Sequence, residues 1–395
     1  MKVVKPILVV LIFLIACTFG VVLIIIPWRT ANIFRADDWN NRGNSEELRG
    51  DPNKAIEDYN RAIKLNPNLA QAHYNRGRAK ADKGEWDGAI ADYNRALELD
   101  PNFYSAYVNR GIARFAKGDF EGAKADCNRA IEISPKSARA YICRGSAQSA
   151  SGHVDEALID FNRAVELDPD SSDAYARRGA AKKAKYDFKG AIADYDRAIE
   201  LAPKSFSTWI NRGNAKSAMN DVEGAIIDYG QARELNPKHK SVCNGLGTAE
   251  IQRQNWAAAL REFRYSCELS EEEQDYPRLY IWLARVRLGE ADAANADLAA
   301  YLDKRPETTR GDWVSKLAGH LLGTVTEAEL FSAVSSDPEK EGDQRCEAWF
   351  YTGIKELFSG DKQTAVDHFR NCLATGKKNL REYRFAQAEL KALGQ

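Results

Sequence analysis

Proline stands at Pro67, Pro101, Pro135, Pro169, Pro203 and Pro237, each 34 residues after the last. Glycine keeps the same step at Gly43, Gly77, Gly111, Gly145, Gly179, Gly213 and Gly247. Alanine keeps it at Ala55, Ala89, Ala123, Ala157, Ala191, Ala225 and Ala259. Three residue types held in phase over about 200 residues exclude an ordinary globular fold and require a stacked repeat. Each unit of such a chain buries its apolar face only against its neighbours.

One copy, 69–102, reads LAQAHYNRGRAKADKGEWDGAIADYNRALELDPN. It holds two helical stretches, a first helix near 72–83 and a second near 86–99. The first stops at a glycine (Gly50, Gly84, Gly118 or Gly152), which takes the left-handed conformation that ends a helix. An acidic residue follows at Asp51, Glu85, Asp119, Asp187 and Asp221, able to cap the next helix and favour its positive end. The proline then ends that helix. Gly77 and its equivalents sit inside the first helix, where glycine costs about 1 kcal/mol. A recurrent cost implies close packing, with Ala89 and Ala96 small for the same reason. Trp39, Tyr107, Tyr141, Tyr175 and Trp209 fill the wider gaps, as do Tyr59, Tyr93, Phe161, Tyr195 and Tyr229.

At these positions the chain resembles the tetratricopeptide repeat. The aromatic, the glycine, the small alanine, the second aromatic, the second alanine and the proline all fall at that family's spacing, six or seven times over. The resemblance implies an all-α solenoid, a right-handed superhelix of antiparallel helix pairs with the first helices lining its inner face.

Lys and Arg number 56 against 57 Asp and Glu, for a net charge of −1. No nucleic acid is expected as a partner, since a binder would carry a basic patch. Asp58/Arg61, Asp92/Arg95, Asp126/Arg129, Asp160/Arg163 and Asp194/Arg197 are spaced three apart and read as solvated helix-surface pairs, each worth a few tenths of a kcal/mol.

Residues 7–26 carry no charge, with Lys2 and Lys5 before them and Trp28 and Arg29 after. Twenty helical residues span about 30 Å, the thickness of the hydrocarbon core of a bilayer. We read 1–28 as an uncleaved signal anchor with one transmembrane helix. A cleaved signal would be shorter and end in a small-x-small site. Leu14-Ile15-Ala16-Cys17 resembles a lipobox, but the residues after Cys17 stay apolar. The short N-terminal flank favours repeats on the far side of the membrane, in a bacterial periplasm. The alternatives are a lipoprotein anchored at Cys17 and repeats that face the cytoplasm.

A linker, 29–35, leads to seven repeats over 36–273. A divergent helix pair covers 274–308, a helical insert 309–345, a further repeat 346–379 and a capping helix 380–395. From about Tyr280 to Leu393 the phrases LYIWLA, LLG…TEAEL, WFYTGIKELFSGDKQTAVDHF and NLREYRFAQAEL resemble the C-terminal part of new lipoprotein I, a bacterial repeat lipoprotein. That resemblance implies a scaffold for peptidoglycan hydrolases and a protease.

No catalytic constellation is present. His73, His153, His239, His320 and His368 are scattered, and no phosphate-cradling loop, GxSxG or SxxK occurs. We expect no enzyme, cofactor or metal. Cys127/Cys143, Cys243/Cys267 and Cys346/Cys372 are placed for three disulfides, or else serve as small buried hydrophobes. The remaining candidate is a peptide groove on the first helices. Asn41, Asn75, Asn109 and Asn211, with Arg177 in the fifth repeat, form a ring that could hold an extended backbone. Tyr74, Val108, Ile112, Phe115 and Ile142 form an apolar strip beside it. The rival reading has the Asn side chains bridging adjacent helices and the strip as packing. Tyr74, Val108 and Ile210 stand where a chaperone-tail clamp of this family would need lysine, so that clamp is not expected. The chain thus reads as a membrane-anchored, non-enzymatic scaffold of the cell envelope that binds proteins or peptides. The alternative is a cytoplasm-facing docking receptor for targeted proteins or chaperones.

Overall fold

The computed structural model describes residues 14–17, 20–23 and 28–395, except 271–273 and 310, with side chains from 35 onward. The chain divides into two compact units, Met1–Pro169 and Asp170–Gln395.

In the first unit the strands β1 (Leu14–Cys17) and β2 (Gly20–Leu23) pair antiparallel, with Leu14 opposite Leu23. They fall in the apolar run where a spanning helix is expected. The rest of 7–26 lies outside the described residues, and among those described no helix is long and apolar enough to cross a membrane. Four helix pairs follow: α1 (Trp28–Leu48) with α2 (Pro52–Leu65), α3 (Ala70–Asp82) with α4 (Trp86–Leu99), α5 (Tyr104–Ala116) with α6 (Phe120–Ile133), and α7 (Ala138–Ala150) with α8 (Val154–Leu167).

Local chemistry sets these boundaries. Asp51 and Asp119 accept the backbone N–H three residues on, at Lys54 and Gly122, and so cap α2 and α6. Glu85, with a longer side chain, caps nothing and pairs instead with Lys83. Gly50, Gly84, Gly118 and Gly152 all take positive φ after the first helix. Inside α3, a Cβ on Gly77 would lie 2.8 Å from the Tyr93 ring. Ala89 and Ala96 are fully buried against the same ring system.

The joint between the third and fourth repeats departs from the others. Cys127 takes the place that Tyr59, Tyr93 and Phe161 hold elsewhere, and Cys143 takes the place of Asn75 and Asn109. Cys127 and Cys143 form a disulfide between α6 and α7, packed under Gly111. Two sulfurs thus fill the volume of a ring. Of the other proposed pairs, Cys346 and Cys372 are unbonded with sulfurs 3.1 Å apart, and Cys243 and Cys267 are free.

The second unit begins with three pairs of the same kind: α9 (Ser172–Ala184) with α10 (Phe188–Leu201), α11 (Phe206–Ala218) with α12 (Val222–Leu235), and α13 (Lys240–Gln252) with α14 (Trp256–Leu269). Asp187 and Asp221 cap α10 and α12. Tyr186, Asn220 and Gln254 hold positive φ where the first unit uses glycine. A divergent pair, α15 (Asp275–Arg287) and α16 (Ala291–Lys304), leads to α17 (Trp313–Leu321), α18 (Glu327–Ser332), α19 (Pro338–Ser359), α20 (Lys362–Ala374) and α21 (Arg381–Ala392). The expected boundary at 345/346 falls inside α19, which Asp337 caps and Pro338 opens.

The cores differ in kind. The regular repeats hold small clusters between neighbouring helices, such as Tyr74, Tyr93, Ala106 and Ala113. From Ile251 to Leu390 one larger cluster runs through the last helices. The final helix packs on the last pair, α19 and α20, as expected of an end cap, and also reaches back to α13. Its partners include Tyr280 and Arg287 of α15 and Phe350 and Tyr351 of α19, and Asn379, just before it, accepts from Tyr186 in the turn after α9. The helix therefore lies along the first-helix side of its unit.

Candidate functional site

Arg76, Arg110, Arg144, Arg178 and Arg212, which the sequence suggests as a salt ladder between repeats rather than ligand contacts, are structural. Arg110 forks onto Asp126, with Nε and Nη2 donating at 2.9 and 2.6 Å. Arg76, Arg144, Arg178 and Arg212 do the same with Asp92, Asp160, Asp194 and Asp228. A third nitrogen reaches the preceding repeat, at Asn60, Asn94, Asn128 or Asp196. These aspartates are buried, which corrects the expectation of solvated pairs three residues apart. Only Asp58–Arg61 keeps that geometry, at 3.3 Å. Arg95, Arg129, Arg163 and Arg197 pair forward with Glu98, Glu132, Glu166 and Glu200. Desolvation explains the choice: a buried carboxylate needs a geometry that satisfies both oxygens, and a fork supplies it.

The Asn ring in the first unit is also largely internal. Asn75 is 2% exposed and donates to Asn40 and Asn44 of the previous repeat at 3.0 Å. Asn109 is buried and donates to the Tyr74 hydroxyl at 2.9 Å. The Tyr74 ring packs on Phe103, with centroids 4.7 Å apart. Val108 and Ile142 are buried as well. Tyr74, Asn75, Val108, Asn109 and Ile142 therefore belong to the joints between repeats. Asn41 is exposed. Ile112 is 37% exposed and Phe115 half-buried, stacked on Phe120 at 5.4 Å. These two remain as an apolar opening on the first-helix face of this unit.

In the second unit part of the same face is covered. Arg177 pairs with Asp173 at 2.8 Å, and Asn211 accepts from Lys183 at 3.3 Å. Across α11, α13 and α15 lies α21. Phe385 is 1% exposed and meets Tyr280 edge-on at 5.5 Å. Glu382 accepts from Tyr280 at 2.7 Å, and Glu389 from Arg287.

Beside α21 a cavity of about 430 Å³ is lined by Tyr276, Tyr280, Trp313, Glu347, Arg381 and Glu382, among others. Glu347 accepts from Tyr276 at 2.9 Å and from the Trp313 indole. Burial, then the charge of Glu382, pushes the Glu347 carboxyl up to about 8 despite those hydrogen bonds. In the unfolded chain it returns to the ordinary 4.5. The folded chain thus holds a proton there that the unfolded chain has lost. This stabilisation is complete below pH 4.5 and disappears as pH rises through about 8. Urea midpoints should fall from pH 5 to pH 8, and Glu347→Gln should flatten that slope. An unchanged slope in the variant would remove Glu347 from the account.

Among the described residues no group of three or more His, Cys, Asp or Glu side chains gathers to hold a metal ion. The sequence reading missed the reach of α21 back along its unit and the three buried carboxylates Glu347, Glu382 and Glu389. One signal was available: REYRFAQAEL puts Glu382, Arg384 and Glu389 on a helix that also carries Tyr383, Phe385 and Leu390.

The tetratricopeptide-repeat family matches residues 36–69, 77–118, 104–137, 138–171 and 206–239. A solved tetratricopeptide-repeat protein from Parabacteroides merdae is similar at a TM-score of 0.50 and 17% identity, covering 63% of this chain and 98% of its own. PilF from Pseudomonas aeruginosa is similar at 0.47 and 17%, covering 54% and 96%. A thermophilic repeat protein from Thermus thermophilus stands at 0.41 and 21%, covering 46% and 98%. The first of these shares the helix-pair fold. With the period, the paired helices and the family match in agreement, tetratricopeptide repeats occupy the matched residues.

Proposed function

We propose that the chain is a membrane-tethered, non-enzymatic scaffold that receives an amphipathic helix of a partner protein on the first-helix face of its first unit. One observation carries this reading. In the second unit part of the corresponding face is occupied by a helix, α21, held by Phe385 in the core and by Glu382 and Glu389 on Tyr280 and Arg287. The fold displays on itself the kind of element this face accepts. In the first unit Ile112 keeps an exposed apolar surface beside Phe115.

The tether is the uncharged run 7–26, long enough as a helix to cross a bilayer. Repeats outside a bacterial inner membrane would meet envelope hydrolases or proteases, the partner class that the resemblance to new lipoprotein I implies.

The test is capture from detergent-solubilised membranes, using the full chain beside an Ile112→Asp, Phe115→Ala double variant. Both positions lie at the surface or half-buried, so the melting curve should stay near wild type. Loss of a central anchor costs 2 kcal/mol or more, about 30-fold in affinity. A helix-bearing envelope protein lost with the variant supports the reading. Equal capture by both proteins rejects this face.

A further inference from the structure

A second cavity in the Asp170–Gln395 unit has the opposite character from the one around Glu347. It measures about 340 Å³ and lies between α21, the end of α9 and the C-terminal part of α11. Lys183, Tyr186, Asn214, Asn379, Arg381 and Arg384 line it, and no carboxylate does.

Arg381 lies over the Tyr280 ring, but the other two cations are short of partners. Arg384 is 8% exposed, its Nη1 donates to the Asn379 carbonyl at 3.3 Å, and its Nε finds no acceptor. Lys183 donates to an amide oxygen, that of Asn211, at 3.3 Å. The carboxylate that both arginines feel, Glu382, is engaged by the Tyr280 hydroxyl at 2.7 Å. Burial holds the Lys183 ammonium below its ordinary value. Burial, the largest cause, does the same to the Arg384 guanidinium; the neighbouring Arg381 charge adds to it, while Tyr229 and Glu382 oppose it. Both shifts mark charge that the fold has desolvated without full compensation.

We infer that this cavity is an oxyanion site, taking the phosphate of a phosphate ester or the carboxylate of a small organic acid. Arg381 and Arg384 are three residues apart on one helix face, and their forks suit a planar or tetrahedral oxyanion. Lys183 closes the opposite side as a point charge. Asn214 and Tyr186 supply neutral polar contacts, and the volume leaves room for the body of a ligand. The inference does not rest on the scaffold reading.

The test is thermal unfolding of the full chain in detergent at fixed ionic strength and pH 7, with inorganic phosphate, succinate or chloride. Filling an anion site at ten times its Kd should raise the midpoint by about 3–6 °C for a unit of this size. A larger rise with phosphate assigns the site to phosphate esters, and a larger rise with succinate to carboxylates. Lys183→Met and Arg384→Met should each lose the response. In chloride neither variant should melt below wild type, because each removes an incompletely paired buried charge. If Arg384→Met does not fold, the half-buried Lys183→Met decides alone. No rise over chloride with either anion, or a full rise in Lys183→Met, overturns the inference.

Discussion

Replacing Asp228 with alanine is expected to destabilise the chain by about 3–5 kcal/mol, the usual consequence of breaking a buried ion pair from one side. Asp228 is fully buried. It accepts from Arg212 Nε at 2.9 Å and Nη2 at 2.7 Å, and from Lys216 at 3.0 Å. Its removal leaves both cations in a place built around a carboxylate, where Arg212 retains Asp196 and the Trp209 ring. The large effect is the stranding of those charges rather than the loss of three attractive contacts. A control on the same kind of helix separates the two ideas. Glu200→Ala breaks the exposed Arg197–Glu200 pair and should cost less than about 1 kcal/mol. Urea unfolding of both variants gives the comparison. Equal midpoint shifts would mean that Asp228 is no more than a surface partner.

This arrangement was written in the sequence but at an offset that helix-surface rules do not reach. Arg76 and Asp92, Arg110 and Asp126, Arg144 and Asp160, Arg178 and Asp194, and Arg212 and Asp228 are all 16 residues apart. A spacing of three is always available on a helix, so Asp92/Arg95 looked sufficient. The tertiary pair wins because the second helix turns Asp92 into the repeat, where only a fork from the first helix can satisfy it. The period itself was decisive for the fold. Gly77, Ala89 and Tyr93 fix how closely two helices approach, and contact geometry of that kind depends on residue size, which a sequence displays directly.

The Asn positions show the opposite case. An amide serves a neighbour and a ligand with the same donor and acceptor atoms, so chemistry alone could not assign Asn75 or Asn109. Stacking assigned them: a step of one repeat sets Asn75 against Asn40 and Asn44, and Asn109 against Tyr74. Exposure then left Ile112 and Phe115 as the accessible part of the strip. The reach of α21 back along its unit was illegible because the insert before it carries no period, and nothing local says which face a terminal helix will meet. Its buried charges are intelligible only once Tyr280, Arg287 and Glu347 are in place around them.

Phe385→Ala is the second large effect, and it tests whether α21 is a true occupant of the first-helix face. The ring is 1% exposed, edge-on to Tyr280 at 5.5 Å and 5.8 Å from Phe350. Truncating a buried phenylalanine costs about 3–5 kcal/mol, from lost transfer energy and the cavity left behind. That exceeds what the remaining anchors of a 12-residue helix can readily offset. The helix should therefore detach locally before the unit unfolds, exposing Tyr280 and the turn at Lys377 and Lys378 to trypsin. Gln387→Ala, at an exposed position on the same helix, should change neither cleavage nor stability. Faster cleavage at Lys377 and Lys378, ahead of any change in global unfolding, would establish α21 as a separable ligand of its own repeats. Global destabilisation with the turn still protected would make it an inseparable part of the core, and the analogy that assigns a partner helix to Ile112 and Phe115 would lose its footing.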